Sequence, residues 1–406
     1  MVLRAYKYRA YPTKEQVEFL SQNFGCVRLL WNKLVSAFHS WSPTGPNPYV
    51  SEKSLKDNPE FAFMNDVISY ALQQKRMDFD ETKKQYFNKK RKVKLGKMKF
   101  KSKSSNRDSF RIPGQALGFS ACVDFDLGTI KLPKMSPMKL VIDRKFAGTL
   151  KSVTVSRNPA GQYFVSVLVE EEIELKRNTG RSIGIDLGLT HLAILSNGFK
   201  FENPRWFRES QAKLKKAQQH LSRKTKGSNR RNKQRLKVAQ IYQKITNQRN
   251  WFHHNLSSWL VNNFDVICTE DLSVKNMVRN HKLSKSISDA GWSSLVSMIS
   301  YKSSWYGRTF HKIDRWEPTS KPCSCCGAKV EAMDLSVREW VCSSCGTSHD
   351  RDINAARNIL NTGLKDLYSL TSAELADYRR REAVSPEVEI PMASSMKRLA
   401  DLYRKA

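Results

Sequence analysis

At 406 residues and 40% apolar content, the chain is too long for one compact domain and rich enough to build two or three cores. Lysine and arginine outnumber aspartate and glutamate by 70 to 38, for a net charge of +32, which excludes an ordinary balanced surface and implies a polyanionic partner, nucleic acid or an acidic membrane. No apolar run approaches the roughly 18 residues of a spanning helix, and "MVLRAYKYRAYP" carries charge where a signal peptide would be apolar, so nucleic acid in a cytoplasmic setting, without a membrane, is the expectation.

Residues 1–10 alternate in the manner of a strand, with Leu3, Ala5 and Tyr8 set among basic residues. Thr13 and Gln16 then have the spacing of a capping box and predict a helix start. The pattern stays mostly helical to about Asn88, broken by "SPTGPNP" (42–48), a loop by its prolines and glycine. Residues 82–103 hold eleven Lys or Arg and no acid. A solvated linker is the plain alternative there, but interleaved Tyr86, Phe87 and Phe100 favour a nucleic-acid contact.

The character changes over 105–175. Val153 and Val155, then Val165, Val167 and Val169, fall on single faces of two strands joined by an Asn-Pro-Ala-Gly turn. Residues 1–10 would complete this barrel or sheet, leaving the helical block as an insertion. The stretch "RSIGIDLGLTHLAILSNGFKFE" predicts three strands, the last two joined at Asn197-Gly198. From Pro204 to Asn263 apolar residues keep three- and four-residue spacing, with a break at Gly227-Ser228. Fifteen basic residues from Arg205 to Arg249 face Glu209 alone, which predicts an antiparallel helix pair showing a basic face to a phosphate backbone. "FDVICTEDL" (264–272) predicts a short buried strand ending in acids, "SISDAGWSSLVSMISYKSSWYGR" a helix started by Ser288 or Asp289, and "FHKIDRW" (310–316) another strand. The tail after Leu364 is mixed, with "TSAELADYRRR" able to form a short helix.

Five of the eight cysteines crowd into residues 323–345. Cys323-x-x-Cys326 and Cys342-x-x-Cys345 are separated by fifteen residues and each pair is followed by glycine, Gly327 or Gly346. Four thiolates so spaced suit a tetrahedral, structural zinc ion with no open coordination position. Cys325 is a spare whose register does not mirror the second knuckle. Three carboxylates fall at element ends: Asp186 after "SIGI", Glu270 after "VICT" and Asp352 opening "DINAARNIL". Converging acids repel unless cations neutralise them, and two Mg²⁺ ions would do so while positioning a water and a leaving oxygen for phosphodiester cleavage. Each acid also has a plain reading: a turn residue, a surface strand end, an N-cap. Asp271 and Asp350 are adjacent rivals that spacing alone does not eliminate. His253-His254-Asn255 is expected to be structural, because adjacent helical histidines point apart.

Taken together, "GIDLGLTHLAI", "TEDL", "SISDAGW", "YKSSWYGR", "CSCCG", "CSSCG" and "HDRDINAARNIL" resemble the TnpB family of transposon-encoded, RNA-guided DNA nucleases, relatives of compact type V CRISPR effectors, over roughly residues 1 to 361. The resemblance implies a multidomain α/β and α+β architecture. An RNase H-like (RuvC) nuclease domain would span 179–320 and 348–364, interrupted by a zinc ribbon at 321–347. A β-barrel wedge domain would take 1–10 and 104–178 around a helical recognition region at 11–103, leaving a tail at 365–406. It matches Asp186, Glu270 and Asp352 to the three catalytic acids, holding two Mg²⁺. It implies a prokaryotic, nucleoid-associated endonuclease guided by a transposon-end noncoding (omega) RNA on double-stranded DNA beside a short target-adjacent motif. The alternatives are a type V effector using a crRNA, a nuclease-dead RNA-guided repressor, and a zinc-ribbon DNA-binding protein without a guide. Tyr49, Tyr70 and Gln73 are candidates for reading DNA, and Lys83, Lys84, Arg223, Lys224, Arg230 and Arg231 for gripping nucleic acid. The sequence departs from the family where Thr319-Ser320-Lys321 replaces the frequent Ser-Ser-Gln before the first knuckle.

Overall fold

The computed structural model describes residues 1–41, 50–90, 95–103, 108–118, 122–330, 333–334 and 337–369. The 42–48 loop, Tyr49 and the "TSAELADYRRR" segment fall outside these residues. The chain divides into two compact units, Met1–Glu172 with Ala217–Gln240, and Ile173–Lys216 with Ile241–Ala406.

In the first unit, β1 (Val2–Tyr11) leads into the 27-residue helix α1 (Lys14–Ser40). The capping box forms: the Gln16 N–H donates to Thr13 Oγ1 and the Thr13 N–H to Gln16 Oε1, satisfying two donors that the first helical turn otherwise orphans. Helices α2 (Glu52–Lys56) and α3 (Ser69–Phe87) flank a 3₁₀ stretch, Pro59–Asn65. The strands β2 (Asp108–Pro113), β3 (Val123–Asp124), β4 (Thr129–Ile130), β5 (Met138–Val141), β6 (Thr149–Arg157) and β7 (Tyr163–Glu171) follow. They form with β1 one antiparallel sheet of order β2-β6-β7-β1-β5-β4-β3. Residues 2–10 pair with 163–171, and 9–11 with 139–141. Alternation decides the faces: Tyr6, Tyr8 and Ala10 are buried with Val153, Val155, Val165, Val167 and Val169 against Leu20, Phe24, Val27 and Leu30 of α1. The expected barrel is not closed among the described residues. The edge strands β2 and β3 do not pair, and two-residue strands such as β3 and β4 carry too few ladder bonds to bring the sheet round.

The second unit holds a five-stranded sheet of order β10-β9-β8-β11-β12, built from β8 (Ser182–Asp186), β9 (His191–Leu195), β10 (Lys200–Glu202), β11 (Val266–Glu270) and β12 (Thr309–Ile313). β8, β11 and β12 run parallel, whereas β9 and β10 add antiparallel at one edge. Helices α4 (Trp206–Ser222) and α5 (Asn229–Asn263), of which Ala217–Gln240 is counted with the first unit, are joined through Gly227 at φ +86°. Their antiparallel pairing shows in Gln234 Nε2 donating to Ala217 O. α6 (Val274–Met277), α7 (Ser284–Ala290) and α8 (Trp292–Tyr306) follow. A two-stranded ribbon, β13 (Glu339–Val341) with β14 (Ser348–Asp350), leads into α9 (Arg351–Tyr368).

The helix expected to start at Ser288 or Asp289 starts elsewhere. Those residues end α7, and Gly291, at φ +65° with its N–H bonded to Ile287 O, closes that helix before α8 begins. Asp289 instead caps α4 from a distance, accepting the Phe207 N–H at 3.1 Å on both carboxylate oxygens. Among the described residues no helix is long and apolar enough to cross a membrane.

Candidate active site and metal centre

Strand parity sets which side chains meet. On β8, Ile183 and Ile185 enter a core with Phe252, Leu256 and Leu260 of α5 and Leu295 of α8. Gly184 faces the other side, where an added Cβ would lie 2.1 Å from Ala356 O of α9. On β11, Ile267 joins the first core, whereas Val266 and Cys268 pack with Ile359 and Leu367 of α9. Two residues on from Gly184 and Cys268 stand Asp186 and Glu270, so both project on the α9 face. The parallel register, Cys268 with Gly184 and Thr269 with Ile185, brings the two acids side by side at the carboxyl ends of neighbouring strands, where α/β sheets hold their ligands.

Asp352 lies in the first turn of α9. The N-cap is Asp350: its Oδ1 accepts from the N–H groups of Asp352 and Ile353, and its Oδ2 pairs with Lys200 Nζ at 2.6 Å. Burial alone would raise the Asp350 pKa, but the Lys200 ammonium and the cap bonds bring it below the ordinary value. Asp271, the other rival, is held by Arg315 and Lys312. Asp352 pairs with Arg338 at 3.6 Å. Asp186 differs from all of these. Burial, then repulsion from Glu270 and from Asp352, pushes its pKa up to about 7, offset in part by the Leu187 N–H and Arg351. Burial and two neighbouring acids together disfavour the charged form of this carboxyl, and a nearby cation would favour it. A cavity of about 370 Å³ opens beside Glu270, with Lys312 and Ser297 in its wall.

The four thiols of Cys323, Cys326, Cys342 and Cys345 lie within 4.8 Å of one another, with Cys323 to Cys345 at 3.7 Å and Cys326 to Cys342 at 3.6 Å. Tetrahedral Zn–S bonds of about 2.3 Å require sulfurs about 3.8 Å apart, so this zinc-ribbon-like cluster fits that ion. The two knuckles are built alike. Gly327 and Gly346, at φ +79° and +70°, return their N–H groups to Cys323 O and Cys342 O, a turn that disfavours side chains with a Cβ. Cys325 stands exposed outside the cluster. Sequence reasoning missed His349, buried against Trp340, whose Nε2 lies 2.9 Å from Cys323 Sγ as an outer partner of the thiolate.

The other candidates fall as follows. Tyr70 and Gln73 are exposed three residues apart on α3, with Met77 continuing that face. Lys83 lies over the Trp41 ring at 5.5 Å, and Lys84 is exposed. Arg223 and Arg230 are exposed, and Lys224 is half-buried. Arg231 Nη1 donates to Leu221 O and Lys224 O, so it also holds the turn between α4 and α5. His253 is buried with Nε2 at 3.1 Å from Ala290 O, and burial pushes its pKa down to about 4, as suits a core residue.

Three family descriptions match the chain: "Helix-turn-helix domain" over residues 1–41, "Probable transposase" of the OrfB/IS605 type over 164–281, and "Cas12f1-like, TNB domain" over 292–359. Residues 1–41 fold here as one strand and one long helix. The mimivirus "TnpB-like protein L79" is 32% identical over 35% of this chain and 28% of its own. A Streptomyces pristinaespiralis protein named "Putative RNA-guided DNA endonuclease" is 41% identical, covering 89% of this chain and 90% of its own.

The chain belongs to the TnpB family. A further relative, Escherichia coli K12 "Putative RNA-guided DNA endonuclease InsQ", is 29% identical over 89% of this chain and 92% of its own. The TnpB-family fold extends to a Cas12f1 chain solved by cryo-EM with sgRNA and target DNA: 14% identical, TM-score 0.50, covering 89% of this chain and 99% of that one.

Proposed function

We propose that this chain is an RNA-guided, Mg²⁺-dependent DNA endonuclease with one hydrolytic site formed by Asp186, Glu270 and Asp352. In this reading 179–320 and 348–364 form a RuvC-like domain around a zinc ribbon at 321–347. Residues 1–10 and 104–178 form the wedge around recognition helices at 11–103, and a transposon-end RNA supplies the sequence reading. What supports the proposal is the parallel register that sets Asp186 and Glu270 at the adjacent ends of β8 and β11, with Asp352 near enough to add to the charge on Asp186, because like charges so placed are relieved when cations join them. Two Mg²⁺ ions bound there would activate the attacking water and stabilise the leaving oxygen. The chain's own part is to hold three carboxylates at fixed positions, while a net charge of +32 gathers guide and target phosphates and base pairing with the guide selects the sequence.

The test is Asp186→Ala in the full chain with a matched guide RNA. Cleavage of a target duplex should fall on the order of 10²–10³-fold or more, with guide and target affinities within twofold of wild type. Undiminished cleavage would remove Asp186 from the site.

A further inference from the structure

The departure at 319–321 carries its own contact. Thr319 is only 7% exposed, and its hydroxyl donates to Glu270 Oε1 at 2.6 Å, the short range of a charge-assisted bond. Its segment is gripped on both sides. Asn358 Nδ2 donates to Thr319 O and to Pro322 O, and Asn354, one turn earlier on α9, donates to Pro322 O and accepts the Ser324 N–H. Residues 319–324 are therefore clamped along one face of the helix whose first turn carries Asp352, and they run into the cluster cysteine Cys323.

We propose that Thr319 is a positioning residue for Glu270: the first knuckle and the Asn354/Asn358 clamp set its hydroxyl, which fixes the carboxylate at Oε1. A glutamate at a strand end has three side-chain torsions, the last of them broad, so an acid without this tie would sample orientations that do not serve a shared ion. This inference rests on the reading of Glu270 as a metal-holding acid. Replacing the hydrogen-bond partner of a metal-ligating group typically lowers metal affinity 10–100-fold.

The experiment compares Thr319→Val, which keeps shape without the hydroxyl, with Thr319→Ser, which keeps the hydroxyl, in the full chain bound to its guide RNA. One readout is the Mg²⁺ concentration for half-maximal cleavage. The other is Fe²⁺-driven hydroxyl-radical cutting of the polypeptide near 186 and 270, competed by Mg²⁺, which reports ion occupancy without DNA cleavage. Thr319→Val should need about 10–100-fold more Mg²⁺ in both, Thr319→Ser should stay within about threefold of wild type, and zinc content should be unchanged. Wild-type Mg²⁺ dependence in Thr319→Val, or equal impairment of the two variants, would overturn the proposal. Should Thr319→Val lose zinc or fail to fold, Thr319→Ala provides the same comparison. Glu270→Gln separates the two layers: if it cleaves normally, the reading of the acid site is wrong. If it is inactive while Thr319→Val keeps wild-type Mg²⁺ dependence, only the positioning role is lost.

Discussion

Burial acts on His253 in a way that a pH series can read. Desolvation among the α5 side chains, with repulsion from Arg249 and His254 partly offset by the Ala290 carbonyl, holds its pKa near 4 against an ordinary 6.5. Above pH 6.5 the imidazole is neutral in folded and unfolded chains alike. As pH falls from 6.5 to 4 the unfolded chain takes up the proton first, so stability drops through that window and levels off below it. The loss attributable to this one group approaches about 3 kcal/mol. His253→Gln, which offers an amide toward Ala290 O, should lack that part of the acid destabilisation. The measurement is the difference in urea midpoint between pH 7 and pH 4.5, and an identical difference in both proteins would reject the assignment. Asp186, pushed up to about 7 by burial and then by Glu270 and Asp352, shows the other outcome of burial, a carboxyl whose charge is relieved by a proton or by a cation.

At the scale of elements, α9 reaches the acids because two glycines let it lie directly on the sheet. A Cβ at Gly184 would meet Ala356 O at 2.1 Å, and one at Gly363 would meet Cys268 Sγ at 2.5 Å. Backbone oxygen cannot step aside as a flexible side chain can, so Gly184→Ala should destabilise by about 3 kcal/mol, read as a lower melting temperature of the guide-bound chain. Gly25→Ala, mid-helix in α1 with no atom within 4 Å of the added carbon, should instead gain up to about 1 kcal/mol; equal effects would refute the close-approach argument. These elements also show what the sequence made legible. The alternation of β1, β6 and β7, the Thr13 capping box and the cysteine knuckles are local patterns, and each appears as a local pattern must. Their place directly after the short runs "SIGI" and "VICT" made Asp186 and Glu270 legible as strand-end acids. What escaped was non-local or short: β3 and β4 are two residues each, Gly291 divides a run whose apolar spacing continues on both sides, and Thr319 meets Glu270 across 49 residues with no periodicity to announce it. The choice between Asp350 and Asp352 rested on resemblance, because only the fold supplies Lys200 as the cap's partner.

For the whole molecule, the decisive quantity is where the +32 excess resides. The stretch from Arg205 to Arg249 has fifteen cations and Glu209 as its one acid, so ion pairing within the helices cannot discharge it, and a bound polyanion would relieve its self-repulsion. Arg223, Arg230 and Lys233 are exposed there, whereas Arg231 is committed to Leu221 O and Lys224 O. The two kinds of cation should therefore fail differently. Replacing Arg223, Arg230 and Lys233 with Gln should leave the melting temperature within about 2 °C and reduce the slope of log K for guide RNA against log salt by about one unit per cation. Arg231→Gln should loosen the α4–α5 turn first, lowering the melting temperature by several degrees and affecting RNA affinity at high and low salt alike. Filter binding between 50 and 300 mM salt measures both. An unchanged slope in the triple variant would mean that the basic face meets solvent and that the guide is held elsewhere on the chain.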